Sequence, residues 1–122
     1  MTRTIHKDDY HLLLSFMQQV REATGITQTE LAQRLRTTQS YVSKCERGER
    51  RIDIMEFVGY CEALGVDAGV LMDAFLDHRD YRLLSPESMT TAVAALMRKS
   101  KRRQRMRAPA KPDDAHKDSS SS

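Results

Sequence analysis

An all-α fold is what this sequence predicts, and three observations carry it. Apolar residues recur at three- and four-residue spacing nearly throughout, no segment alternates with the period of two that a half-buried strand needs, and cap residues punctuate the chain at helix-length intervals. The 122 residues, 39% hydrophobic and 30% charged, suffice for one modest core but not for two ordinary domains.

The first helix is expected from about Asp9 to Ala23, with Leu12, Leu13, Phe16, Met17 and Val20 on one face and residues 1–8 left as an N-terminal arm. Gly25 stops it, being free to take positive φ. Thr27-Gln28-Thr29-Glu30 forms a capping-box pattern that opens a short helix over 28–35, with Leu31, Ala32 and Leu35 inward. After Arg36-Thr37, Thr38 caps another short helix, 39–47, which stops at Gly48. Asp53 with Glu56 three residues on opens a fourth helix that ends at Leu64-Gly65, and Asp67 caps a fifth through about Leu76. These five elements, within residues 9–80, hold most of the apolar residues and are expected to share a core. Ser85-Pro86 then begins a separate helix over 85–107, with Pro at its first position and Met89, Val93, Leu96 and Met97 in a stripe. From Ala108 to the Ser119–Ser122 run there is little to bury, so 108–122 is expected to be a disordered tail.

Charge is informative only once it is located. The formal net charge is +3, from 20 Lys and Arg against 17 Asp and Glu. Residues 34–51 hold six basic and two acidic side chains, a net +4, whereas 52–80 hold seven acidic and one basic, a net −6. Residues 98–107 add seven basic side chains and no acidic one. A basic segment beside an acidic one favours oriented docking on an anionic polymer over general stickiness.

Several function classes drop out. No apolar run approaches the roughly 18–20 residues of a membrane span, and the N-terminus lacks the apolar stretch of a signal peptide, which points to a cytoplasmic protein. Cys45 and Cys61, sixteen residues apart, form neither a disulfide framework nor a CxxC. His6, His11, His78 and His116 match no metal-ligand spacing, and no Gly-rich phosphate loop, GxSxG or HExxH occurs. Neither metal, cofactor nor enzymatic activity is therefore expected. The cysteines, and Met17, Met55, Met72, Met89 and Met97 on helical apolar faces, are expected to pack in the core.

Two short helices around a tight turn form a helix-turn-helix pattern. In 39–47, Val42, Cys45 and Glu46 fall inward, while Gln39, Ser40, Ser43, Lys44 and Arg47 fall outward and include no acid. Such side chains carry the donors and acceptors that read base edges in a major groove, though alone they could equally be the solvated face of a short helix.

The segments Thr27-Gln28-Thr29-Glu30-Leu31-Ala32-Gln33-Arg34-Leu35 and Thr38-Gln39-Ser40-Tyr41-Val42-Ser43-Lys44-Cys45-Glu46-Arg47-Gly48 resemble the xenobiotic-response-element (lambda-repressor and Cro-like) helix-turn-helix family. Glu49-Arg50-Arg51-Ile52-Asp53 and Glu62-Ala63-Leu64-Gly65-Val66 extend the resemblance over roughly residues 10–76, and the combined QxxLA, VSKxExGER and ALGV spacing is specific. It implies a five-helix lambda-repressor-like DNA-binding domain, here with an additional C-terminal helix, acting as a homodimeric transcriptional regulator on double-stranded DNA.

Carried over residue by residue, the resemblance places Gln39, Ser40 and Lys44 at base edges with Ser43 at the margin. It places Gln28 and Thr38 on phosphate at helix N-termini, Arg47, Arg50 and Arg51 on the backbone beyond the recognition helix, and Arg21 and Glu46 in a structural ion pair. Tyr41 is expected to pack or to hydrogen-bond a phosphate. Two positions depart from the family pattern: Arg36 stands where the turn usually has Gly, and Cys45 replaces a larger apolar or aromatic residue. The 85–107 helix has three readings, namely packing on the core or a second subunit, added phosphate contacts, or a protein partner. Membrane binding ranks last, because its stripe is short and lacks an aromatic anchor. The alternative to a regulator is an antitoxin-like or adaptor protein whose main partner is another protein through that helix.

Overall fold

Six helices, in a computed structural model describing residues 2–79 and 86–107 (side chains from 9–79 and 87–107), make the fold all-α, with no strand among the described residues. They are α1 (Thr2–Ala23), α2 (Gln28–Leu35), α3 (Gln39–Glu46), α4 (Ile54–Leu64), α5 (Ala68–His78) and α6 (Pro86–Arg107). The expected disordered tail, 108–122, lies outside the described residues.

Caps set the helix starts. The Thr27 hydroxyl accepts from the Glu30 N–H at 3.0 Å while the Glu30 carboxylate accepts from the Thr27 N–H at 2.9 Å, and Asp53 and Glu56 repeat this reciprocal pair at the head of α4. Thr38 and Asp67 cap α3 and α5 through the N–H groups of Tyr41 and Val70. The helix-turn-helix turn places Arg36 at φ 60° and ψ 47°, in the left-handed region. That conformation costs a residue with a Cβ about 1–2 kcal/mol, so Arg36→Gly is expected to raise stability by about 1 kcal/mol in urea unfolding, with α2 and α3 unchanged. Gly48 closes α3 at φ 79°, in the left-handed region that favours glycine, and an added Cβ would lie 2.8 Å from His11 Cε1, so the imidazole would have to shift.

Two expectations are corrected. Helix α1 begins at Thr2, so residues 2–8 extend it and do not form a non-helical arm. Nothing in 2–8 breaks a helix, since it holds neither Gly nor Pro; the apolar stripe that marks the helix in sequence simply starts later. Met55, expected in the core, is exposed beside Ile54 on the first turn of α4.

The core joins Leu14, Phe16, Met17 and Val20 of α1, Leu31 and Ala32 of α2, Val42 and Cys45 of α3, and Phe57, Tyr60, Cys61 and Leu64 of α4 to α5 and α6. From α5 come Val70, Leu71 and Phe75, and from α6 Ala92, Val93 and Leu96. Both cysteines are buried, and burial pushes the Cys61 thiol up to about 12 and raises that of Cys45. They pack as small apolar residues. Helix α6 lies on α5 and α1. Its last turns are tied to the α4–α5 turn: Ser100 Oγ accepts from the Asp67 N–H at 2.8 Å, and the guanidinium groups of Arg103 and Arg107 approach the Asp67 carboxylate at 3.6 and 2.9 Å.

The chain path fixes one more relation. α4 leaves the Arg50–Asp53 loop and α5 returns to its neighbourhood: Arg79, just past α5, pairs with Asp9 of α1, while Tyr10 of α1 accepts from the Ile52 N–H. The α4–α5 turn at Gly65–Asp67 is therefore one 11-residue helix length, about 16 Å, from that loop along either path.

Candidate nucleic-acid interface

Glu46 is the hub on which the helix-turn-helix is built. Its carboxylate accepts from Arg21 Nε at 2.6 Å and Nη2 at 3.1 Å, and from Gln28 Nε2 at 2.8 Å. Only 10% of the Arg21 side chain and 6% of the Glu46 side chain are exposed, so the pair is bidentate and nearly dry. Arg21 Nη1 also donates to the Ile26 carbonyl, satisfying the chain between α1 and α2. The Glu46 contact holds the Arg21 guanidinium above its ordinary pKa against the opposing effect of burial. Gln28 Oε1 accepts in turn from Gln39 Nε2 at 2.6 Å. A continuous polar chain, Arg21–Glu46–Gln28–Gln39, thus runs from buried α1 to the exposed start of α3 and fixes the angle between α2 and α3.

On the outer face of α3, Gln39, Ser40 and Lys44 are exposed and Ser43 is half-buried, in agreement with a wheel that puts Val42 and Cys45 underneath. Arg47 is held back over this face by Ser43 Oγ and by Glu49, whose carboxylate it approaches at 2.8 Å. That contact raises the Arg47 pKa and lowers that of Glu49. Lys44 forms no salt bridge among the described residues and feels the Glu49 carboxylate, itself paired with Arg47, only at a distance.

The loop after α3 is ordered by two rings. The Arg50 guanidinium lies 4.7 Å from the Tyr41 ring centroid and pairs with Glu56 at 3.1 Å, while Tyr41 Oη donates to the same carboxylate at 3.2 Å. The Asp53 N–H first, then Arg50, hold the Glu56 carboxyl below its ordinary range. Burial pushes the Tyr41 phenol up to about 12. Arg51 lies 4.7 Å from the Tyr10 ring centroid and meets no carboxylate among the described residues. The Thr38 hydroxyl accepts from the Tyr41 N–H in the α3 cap and keeps its own hydrogen to donate.

The expected site residues therefore fall into two sets. Gln28, Gln39, Ser40, Ser43 and Lys44 cluster along α3 and the start of α2, and Tyr41, Arg50 and Arg51 cluster at the loop, with Arg47 between them. Tyr10 and Glu56, which aim the two loop arginines, were missed. Their roles depend on contacts 41 and 6 residues away in sequence, and only the Asp53–Glu56 capping pattern hinted at Glu56. Among the described residues no group of three His, Cys, Asp or Glu could hold a metal ion, and no helix is long and apolar enough to cross a membrane.

A short helix with a polar and basic outer face, braced at a fixed angle on a second, defines a helix-turn-helix domain. The family profile described as "Helix-turn-helix domain" matches residues 13–75. Among solved structures, the XRE-family like protein from Pseudomonas syringae pv. tomato str. DC3000 is similar, at 45% identity over 62% of this chain and 93% of that one, with a TM-score of 0.61. No curated protein gives a significant match. The chain belongs to the XRE, Cro-like helix-turn-helix family of DNA-binding regulators.

Proposed function

We propose that this protein is a sequence-specific double-stranded DNA-binding transcriptional regulator, acting as a homodimer in the cytoplasm, nucleoid-associated when bound, and without catalytic activity. The observation that carries this reading is the exposed row Gln39, Ser40 and Lys44 on a helix whose tilt is locked from behind by the Glu46 chain. These three side chains reach base edges, with Ser43 at the margin. Gln28, Thr38, Tyr41, Arg47, Arg50 and Arg51 set register on the phosphates, Tyr41 mostly by steering Arg50. Dimerisation follows from the family resemblance and from the two half-sites such domains read; light scattering checks it.

Pairing ranks the cations. Arg51, without a carboxylate partner among the described residues, is expected to lower the slope of log binding constant against log salt by about 1 when replaced by Ala. Arg50→Ala lowers it less, because Glu56 already offsets that charge. Lys44→Ala relaxes base preference at one position and weakens the preferred site by about 1–3 kcal/mol. Gel shifts on a site selected from random DNA measure all three. Salt-insensitive binding, or no preferred sequence after selection, overturns the proposal. The antitoxin-like or adaptor reading draws less support, since the apolar stripe of α6 that would receive a protein partner is packed on α1 and α5.

A further inference from the structure

The cations of α6 divide into two groups. Arg103 and Arg107 turn inward to Asp67. Arg98, Lys99, Lys101, Arg102 and Arg105 are exposed and meet no carboxylate among the described residues. Positions 98, 101, 102 and 105 follow the i, i+3, i+4, i+7 spacing of one helix face. Together with Lys99 they border one shallow depression over Ala95, on the side opposite the buried Val93, Leu96 and Ser100. A helix that merely needed solubility would mix its charges; this face has one sign only.

Its location separates it from the recognition surface. The basic half of α6 is moored at Gly65–Asp67 by Ser100, Arg103, Arg107 and Gln104, whose Nε2 donates to the Gly65 carbonyl. Helix α6 packs on α1 and α5 and meets neither α2 nor α3 among the described residues, and its basic side points away from that packing, so the stripe and the outer face of α3 are separate surfaces.

We propose that the outer face of α6 is a second, sequence-independent nucleic-acid site that takes the phosphate backbone of a DNA duplex other than the one read by α3, so that one protein bridges two DNA segments. The proposal rests on the DNA-binding reading above only for the identity of the first duplex. Charge complementarity chooses the occupant. The face carries cations spaced along a rod and no aromatic anchor of the kind that dominates protein interfaces. Met106 is the one large apolar side chain exposed on α6, and its apolar stripe is spent on the core, so it lacks the insertable face that membrane binding needs.

The test tethers the full chain through a tag after Ser122 and applies two duplexes in turn, first the selected site to saturation, then a random-sequence duplex. The first step reads the proposed function; the second reads the α6 site. Wild type is expected to bind both, with second-step affinity falling about a hundredfold between 50 and 200 mM salt for four phosphate contacts. Arg98→Gln/Lys101→Gln/Arg102→Gln/Arg105→Gln, all at exposed positions, is expected to keep the first step within twofold and lose the second at least tenfold. Gln39→Ala/Lys44→Ala does the reverse. No second step in wild type, or a second step untouched by the α6 variant, overturns the inference whatever the first step shows. Binding of anionic vesicles or polyglutamate, but not of the random duplex, by the same four residues also overturns it and assigns the face to another anion.

Discussion

Glu46→Ala is expected to lower the stability of the fold by about 3–5 kcal/mol, the largest loss from any single polar substitution in the helix-turn-helix. The carboxylate is nearly buried and accepts three hydrogen bonds, two from Arg21 and one from Gln28. Its removal leaves the nearly buried Arg21 guanidinium with the Ile26 carbonyl and, at 3.9 Å, the half-exposed Glu22 carboxylate. Arg21→Ala strands the carboxylate in the same way and is expected to cost a similar amount. The double variant Arg21→Met/Glu46→Leu separates pairing from burial: replacing both ions by apolar groups of similar size is expected to recover most of the loss. Urea unfolding of the four proteins closes the cycle. A single-variant loss under about 1 kcal/mol would mean that water reaches the pair and that the dry geometry is wrong.

The recovered double variant makes a second point. With Glu46 gone, Gln28 loses its anchor and Gln39 loses a fixed neighbour. A protein that regains stability but binds its site less tightly would show that the ion pair serves recognition by holding α3 at its angle. Stability and function are then carried by the same carboxylate for different reasons.

Local patterns made most of this fold legible. The capping signals at Thr27, Thr38, Asp53 and Asp67 name the starts of four helices within a residue, because a cap is decided by neighbours three positions away. The left-handed Arg36 was also visible, from the family turn that usually holds Gly there. What stayed hidden depends on distant contacts. Tyr10 beneath Arg51 and Glu56 beside Arg50 are ordinary helix residues until the fold brings them to the loop. Leu14 was left out of the expected α1 face, yet it is buried, since α1 is wrapped by α3, α4, α5 and α6 and no single stripe describes it. Met55 erred in the other direction, its periodicity fitting a core whose edge falls one turn short of it.

Leu96→Ala is expected to cost about 2–5 kcal/mol, and that outcome bears on what α6 is. Sequence left three uses open for 85–107: its stripe of Met89, Val93, Leu96 and Met97 fits the chain's own core or a second subunit, or a protein partner, and its cations fit added phosphate contacts. Leu96 is 3% exposed in the single chain, between α5 and α1, with Ala92 and Val93 beside it. A helix that waits for a partner would tolerate Ala there with its stability nearly unchanged. A helix that closes the core would not, and its loss would grow with the cavity left behind. The family match ends at residue 75, so α6 is an addition to the part that reads DNA, and selected-site affinity measured at a temperature where the variant is folded should stay near wild type. Such a split, a large loss of stability with recognition kept, would define α6 as a built-in brace. Docking its apolar side on α1 and α5 is what turns its cationic side outward, so the brace and the second DNA site are two faces of one packing decision.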